Sequence, residues 1–204
     1  MAQVIADITM SLDGYVTAPG ADLEHGLGVG GESLHTWAID SDDEVDARVL
    51  RDATERTGAV VMGRRLFDII DGPHGWNDEM GYGAAHNAPP PVFVVTHEAP
   101  SDWRLGARFR FVTGGVAAAI DEARAAADDG AGDVVVMGGG EVVRQALAEG
   151  LVDELRIHLA PELLGGGTPL FGADPPRHLT QVGVDVSSTA THLRYRVGGP
   201  VAGS

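Results

Sequence analysis

The chain has 204 residues, 44% of them hydrophobic, and carries 30 acidic against 14 basic side chains for a net charge of -16. That length and composition allow one substantial core, whereas the charge disfavours nucleic acid and anionic membrane surfaces as partners, so an anionic ligand needs a local basic pocket. Cysteine is absent, which excludes disulfides, thiolate nucleophiles and Cys-ligated metals; no apolar run nears the roughly 18 residues of a membrane span and no signal-peptide pattern opens the chain, so a soluble, cytoplasmic protein is expected.

In chain order, the β-rich run Gln3 to Met10 predicts a first strand ending at Ser11-Leu12-Asp13-Gly14. Asp-Gly is a turn signal. Asp13 therefore either caps a turn or stands beside a substrate at a strand's C-terminal end, where open α/β sheets hold their ligands. Ala18 to Gly31 is rich in glycine and acid without periodicity, and reads as a mobile loop able to serve as a lid. Ser41-x-x-Glu44 has the form of a capping box, and Val45, Val49, Leu50 and Ala53 follow at helical intervals, so a helix is predicted from about Asp42 to Arg56.

Ala59 to Met62 predicts a second strand, ending in Gly63-Arg64-Arg65 at the opening of a short helix. Two guanidiniums at such a place can hold phosphate by charge-assisted bonds, or they are solvated surface arginines. Asp71 to Pro91 reads as a long irregular loop. Strands are then predicted at Val92 to Thr96 and Phe109 to Thr113, with an alanine-rich helix over Gly115 to Asp128.

Val134 to Met137 runs into Gly138-Gly139-Gly140 and then into Glu141, Val142, Val143, Ala146 and Leu147 at helical spacing: a buried strand, a tight turn and a helix. Glycines here let backbone N–H groups approach an anion at the electropositive helix start, which outlines a pyrophosphate cradle. A glycine turn that merely reverses the chain fits the same residues. The spacing is not GxGxxG. Asp153 to Ala160 alternates as a sixth strand, and His178 to Val197, with a turn near Ser187 and Ser188, predicts a closing antiparallel pair.

The βαβα order argues for an α/β fold with three layers: a mainly parallel central sheet, helices on both faces and a C-terminal antiparallel β pair. One domain over 1–197 and a flexible tail over 198–204 are expected. No histidine pair has the spacing of a helix-borne zinc site, and no metal site is expected. No G-x-S-x-G elbow is present. Hydride transfer, by contrast, needs no protein nucleophile, only a dinucleotide held against an acceptor. Alternation of Arg156 and His158 with apolar neighbours, and of Val182, Val184 and Val186, leaves apolar strand faces for a homodimer.

The blocks SLDG (Ser11 to Gly14), VVMGRRLF (Val60 to Phe67), MGGGEVVRQAL (Met137 to Leu147) and LVDELRIHLAPELLGGGTPLF (Leu151 to Phe171) resemble the dihydrofolate-reductase-like family, specifically the riboflavin biosynthesis reductase (RibD C-terminal) domain and its stand-alone relatives. The resemblance covers nearly the whole chain. It implies an NADPH-dependent reductase acting on a small heterocycle of pterin or ribosylaminopyrimidine type, similar to 5-amino-6-(5-phosphoribosylamino)uracil reductase. It assigns Gly63, Arg64 and Arg65 to the 2′-phosphate end of NADPH, and Gly138, Gly139, Gly140, Glu141 and Val142 to the pyrophosphate.

GESLHTW (Gly31 to Trp37) is similar to the segment lining the nicotinamide site, which makes Ser33 and Trp37 pocket residues, with Asp13 on the acceptor side. Tyr15 stands where the family's riboflavin-pathway members have lysine. Dihydrofolate reductases place a carboxylate on the helix after the first loop, where Asp40 and Asp42 lie nearby; for Asp42, a charge at a helix start is the simpler role. A dihydrofolate reductase and a nucleotide-binding sensor without turnover are the alternatives, the latter because no residue stands out as proton donor.

Overall fold

The computed structural model describes residues 2–73, 75–77, 81–82, 89–130, 132–172 and 176–200. Its strands are β1 (Val4–Ser11), β2 (Tyr15–Thr17), β3 (Thr57–Gly63), β4 (Val92–Val95), β5 (Phe109–Val112), β6 (Asp133–Gly138), β7 (Glu154–Ala160), β8 (Thr168–Pro169), β9 (Arg177–Val186) and β10 (Thr191–Pro200). Its helices are α1 (Thr36–Ile39), α2 (Glu44–Glu55), α3 (Arg64–Asp71), α4 (Gly115–Gly130) and α5 (Gly140–Ala148), with a 3-10 turn over Gly31–His35. Eight strands form one sheet in the order β5-β4-β3-β6-β1-β7-β10-β9, and β2 with β8 forms a separate two-stranded ribbon. Pairing is parallel from β5 to β7, and β10 is antiparallel to both its neighbours. The mainly parallel sheet and the closing antiparallel pair are as predicted.

The strand alternation sorts the core into two layers. Ala59, Val61, Phe93, Val134 and Val136 point to one face, where Val116, Ala119, Ile120 and Ala123 of α4 and Val143 and Ala146 of α5 cover them. Val60, Met62, Val92 and Val94 point to the other, beneath Phe67 and Ile70 of α3. Such residues, exposed by 8% or less, supply most of the stabilisation, at about 25 cal/mol per Å² of apolar surface removed from water. Alanine on the inner face of α4 lets that helix lie close to the sheet; an added Cβ on Gly58 of β3 would already meet Ala127 at 2.9 Å.

Three local expectations are corrected. The helix predicted from Asp42 begins at Glu44, and its N-cap is Asp43, whose Oδ1 accepts from Val45 N at 2.9 Å. Ser41 does not cap it, because its hydroxyl donates to Asp46 instead. Asp42 lies outside the first turn, whose acids are Glu44 and Asp46. The 198–204 tail also starts too early: β10 continues through Gly198 and Gly199 to Pro200, and 201–204 lie outside the described residues. Finally, Gly31–His35 and α1 occupy a stretch for which no helix was predicted, and the long loop after Asp71 falls partly outside the described residues.

Ala18 to Gly31 folds back on itself, with Ala18 N donating to Leu27 O at 2.8 Å and Val29 N to Pro19 O at 3.2 Å. Among the described residues, no helix is long and apolar enough to cross a membrane.

β9 ends the sheet, and Leu179, Val182, Val184 and Val186 on it are between 42% and 66% exposed. An apolar edge strand left in water invites pairing. We propose that a second copy of the chain covers it in a symmetric dimer. Sedimentation equilibrium at micromolar concentration should give twice the 21.2 kDa chain mass, and Val184→Asp should give a folded monomer. A wild-type monomer, or a dimer that survives the substitution, would count against this edge.

Candidate functional site

The C-terminal ends of β1, β3 and β6 lie side by side in the sheet. At the end of β6, Gly138 sits at φ 124 and is joined to Gly139 by a cis peptide. Gly139, at φ -69 and ψ -179, is the N-cap of α5. The glycines here have different reasons to be glycine. A Cβ on Gly63 would meet Val142 Cγ2 at 2.9 Å, and one on Gly140 would meet Val16 Cγ2 at 3.0 Å, so both serve close packing. A Cβ on Gly139 would meet nothing within 4 Å, and its backbone lies in a region open to any residue. Open space at a helix start is what an anion needs.

The rest of the predicted cradle divides accordingly. Val142 turns its side chain into the core, and its N–H donates to Gly139 O at 3.0 Å. The Glu141 carboxylate lies along the helix, paired with Arg144 and accepting from Gln145 Nε2 at 2.9 Å. What remains for a ligand is the Gly139 surface and the N–H groups of Gly140 and Glu141, which have no carbonyl one turn earlier to bond.

Arg64 and Arg65 open α3, beside the cradle strand, but they part at once. Arg64 donates from Nε to Asp68 Oδ1 at 2.6 Å and from Nη1 to Glu98 O at 3.0 Å. Glu98 belongs to a turn after β4 that is fastened by Thr96 Oγ1 donating to the same carbonyl at 2.7 Å. Arg65 reaches the other way, to Ala21 O in the 18–31 loop. Among the described residues, Arg64 thus keeps part of its five-donor fork free over the Thr96–Glu98 turn, whereas Arg65 fastens the loop.

On the acceptor side, Asp13 is a clamp. Its Oδ1 accepts from Ser11 Oγ at 2.6 Å and Leu164 N at 3.2 Å, and its Oδ2 from Gly165 N at 2.7 Å. The Ser11 bond above all holds its carboxyl below the ordinary range; burial, the next largest effect, opposes it, and backbone bonds from Gly165, Leu164 and Asp13 itself add to the lowering. Ser33 Oγ donates to Gly30 O at 2.9 Å within its own turn. Trp37 is only 7% exposed and donates from Nε1 to Thr9 Oγ1 at 3.0 Å. Its ring stacks on His158 with centroids 4.0 Å apart, so Trp37 is a buried floor rather than an exposed wall.

That stacking reveals a group the sequence reading missed. On the face of β1, β7 and β10 turned towards α2, Asp7 Oδ1 lies 2.8 Å from His158 Nε2, His158 Nδ1 lies 2.7 Å from His192 Nδ1, and His192 Nε2 lies 2.7 Å from Asp46 Oδ1. Burial raises the Asp46 carboxyl, but hydrogen bonds from Ser41, Thr189, Ser187 and His192 outweigh it and leave the carboxyl lowered. At Asp7, burial is likewise opposed by the charge and hydrogen bond of His158, then by Arg156 and His192, with the same net direction. Burial keeps His192 below its ordinary value despite Asp46. The signal in the sequence was polar residues at inward strand positions, Asp7 and Thr9 in β1, His158 in β7 and His192 in β10. Among the described residues, no group of side chains has the arrangement of a metal site.

His35 adds a test. Among the described residues its buried Nδ1 has no hydrogen-bond partner, and burial, helped by His158, pushes its pKa from 6.5 down to about 4. The unfolded chain therefore takes up this proton first, so the stability due to the neutral ring is whole above about pH 6.5 and is lost as pH falls towards 4. Thermal melts of wild type and His35→Gln across that window should show the steeper fall in the wild type. Parallel curves would refute the assignment.

The sequence matches the RibD C-terminal domain family over residues 2–193. No curated protein matches it. Among solved structures, a protein from Shewanella sp. PV-4 provisionally assigned to riboflavin biosynthesis is 24% identical, with a TM-score of 0.66 over 98% of this chain and 100% of its own. A pyrimidine reductase-like protein from Corynebacterium diphtheriae is 18% identical, with a TM-score of 0.64 over 97% of this chain and 92% of its own. A diaminohydroxyphosphoribosylaminopyrimidine deaminase/5-amino-6-(5-phosphoribosylamino)uracil reductase from Thermotoga maritima is 15% identical, with a TM-score of 0.61; the alignment covers 97% of this chain but only 57% of that one. At these identities the likeness is one of fold. The family match, which spans nearly the whole sequence, places this chain in the RibD C-terminal domain family.

Proposed function

We propose that the protein is a reductase that uses NADPH to reduce a small heterocycle of pterin or ribosylaminopyrimidine type. The observation that carries this reading is Gly139: a residue with permissive backbone angles and open space around it, set at the start of a nine-residue helix. The groups present fit such a cofactor. The N–H groups of Gly140 and Glu141 and the positive end of α5 suit the pyrophosphate, and Arg64 above the Thr96–Glu98 turn suits the 2′-phosphate. Arg65, by fastening Ala21, would hold the 18–31 loop beside it. Bound there, the cofactor supplies the hydride.

The chain's own part is then positional: it holds two partners in register at the ends of β1 and β6 and keeps water out. Family membership supports this reading, and so do the reductase names carried by relatives of the same fold. A sensor that binds the nucleotide without turnover is the second reading, and one observation favours it. Asp13, the carboxylate predicted on the acceptor side, has both oxygens engaged by Ser11, Leu164 and Gly165, so it has no proton to give.

Fluorescence titration with NADPH and NADH should show preference for NADPH, reduced about tenfold or more in Arg64→Ala, the size expected for hydrogen bonds between charged groups. Equal affinities would count against the cradle as a site for NADPH. Gly139→Val should lose binding with an unchanged melting temperature, because among the described residues nothing beyond its chain neighbours lies within 4 Å of a Cβ there. Retained binding would sink the assignment. Steady NADPH oxidation with a pterin or ribosylaminopyrimidine decides for the reductase, and tight binding without turnover across such a panel decides for the sensor.

A further inference from the structure

All 14 basic side chains are arginines, and they are unevenly spread along the chain. None precedes Arg48, and none lies between Arg156 and Arg177. Those two gaps contain the segments beyond the C-terminal ends of β1 and β7: the Ser11 to Gly14 turn, the 18–31 loop, Gly31–His35 with α1, and the loop from Pro161 to β8. The cofactor side of the same mouth has Arg64 and Arg65 on α3 and Arg144 on α5. The two sides therefore differ in sign.

Where cations are missing, Asp13, Asp22, Glu24, Glu32 and Asp40 are exposed. The histidines do not offset them. His25 turns Nδ1 to Asp22 Oδ1 at 2.9 Å, burial holds His35 neutral at pH 7, and His158 is enclosed in the Asp7–His158–His192–Asp46 array. Four arginines line the cleft beside that array, but four carboxylates line it with them. Arg48 and Arg194 pair with Asp185 at 2.9 and 3.4 Å, and Arg156 pairs with Glu154 at 2.6 Å.

The backbone offers no substitute. Gly165 and Gly167 have φ of 68 and 121, and a glycine-rich turn of this kind can cradle an anion with successive N–H groups. Asp13 already occupies it, with Oδ1 accepting from Leu164 N at 3.2 Å and Oδ2 from Gly165 N at 2.7 Å. An internal carboxylate thus stands where an incoming phosphate would bind. Beside it the surface is apolar: Leu12 N donates to Glu162 O at 2.9 Å, which sets Leu12, 61% exposed, alongside the segment carrying Leu163, 73% exposed.

We propose that this reductase takes an acceptor without a phosphate, a neutral heterocycle or its free riboside, and that Asp13 is a specificity-determining residue that keeps phosphorylated forms out. In so acidic a chain an anion binds only where cations gather locally. The cofactor's phosphates meet such a place at Arg64, whereas a phosphate on the acceptor would meet exposed carboxylates. This class departs from the phosphoribosyl substrate in the name of the Thermotoga maritima relative. The placement of the acceptor rests on the reductase reading.

The test compares a ribosylaminopyrimidine with its own 5′-phosphate, by calorimetry on the full chain saturated with oxidised cofactor and by NADPH oxidation. The free riboside should bind about tenfold or more tightly than the phosphate, the size expected where like charges are brought together. Raising the salt should narrow the gap, because screening relieves the repulsion. Asp13→Asn removes the charge while keeping an oxygen for Gly165 N, and should strengthen binding of the 5′-phosphate without changing that of the free riboside; a merely structural Asp13 would move both alike. Leu12→Arg leaves the Asp13 clamp intact and should also favour the phosphate, which keeps the idea refutable if Asp13→Asn does not fold. A wild type that binds the phosphate equally or better, or binds neither form, overturns the proposal. So does a gap indifferent to salt, or a folded pair of variants with unchanged preference. A free riboside that binds with the cofactor present but is never reduced would overturn the reductase reading and leave the selectivity standing.

Discussion

The parallel pairing of β1 with β6 on one side and β7 on the other is the constraint from which the rest follows. It inserts the first strand of the chain between the strand that ends in the glycine turn and the strand that carries His158. A parallel neighbour cannot be reached by a hairpin, so both pairings join segments well over a hundred residues apart and bring the sheet's C-terminal ends to one edge. The same pairing fixes which side chains face which layer. A slip of one residue would turn Asp7 into the α4–α5 core and Ile8 towards the histidines.

The second layer of control lies in carboxylates that join distant segments. Asp43 caps α2 through Oδ1 and, through Oδ2, accepts from Ser188 N at 3.0 Å in the β9–β10 turn. Asp13 ties the end of β1 to the loop before β8. Asp46 joins α2 to β10 through His192. In a chain this acidic, exposed pairs contribute little each; these carboxylates matter because each satisfies donors from two elements and so fixes their relative placement.

What could be read in advance was local. Val134 to Leu147 announces strand, turn and helix because each signal lies within a few residues of the next, and the mainly parallel character of the sheet follows from the alternation of elements. The array was not legible, because its contacts span 151, 34 and 146 residues. Scanning histidines for metal spacing along one helix could not find two that meet across neighbouring strands. The capping box failed for a related reason: Ser41 had a better partner in Asp46, itself held by Thr189 from the far end of the chain. Arg64 and Arg65 were read as one site, yet adjacent residues at a helix start point about 100° apart, and each found a different carbonyl.

Gly139 has an implication for relatives of this chain. Among the described residues nothing but its chain neighbours would lie within 4 Å of a Cβ there, and its backbone angles are open to any residue. A homologue with alanine at this place is then expected to keep the fold, whereas a longer side chain would enter the cradle, which makes this single position one at which ligand binding can be compared between relatives.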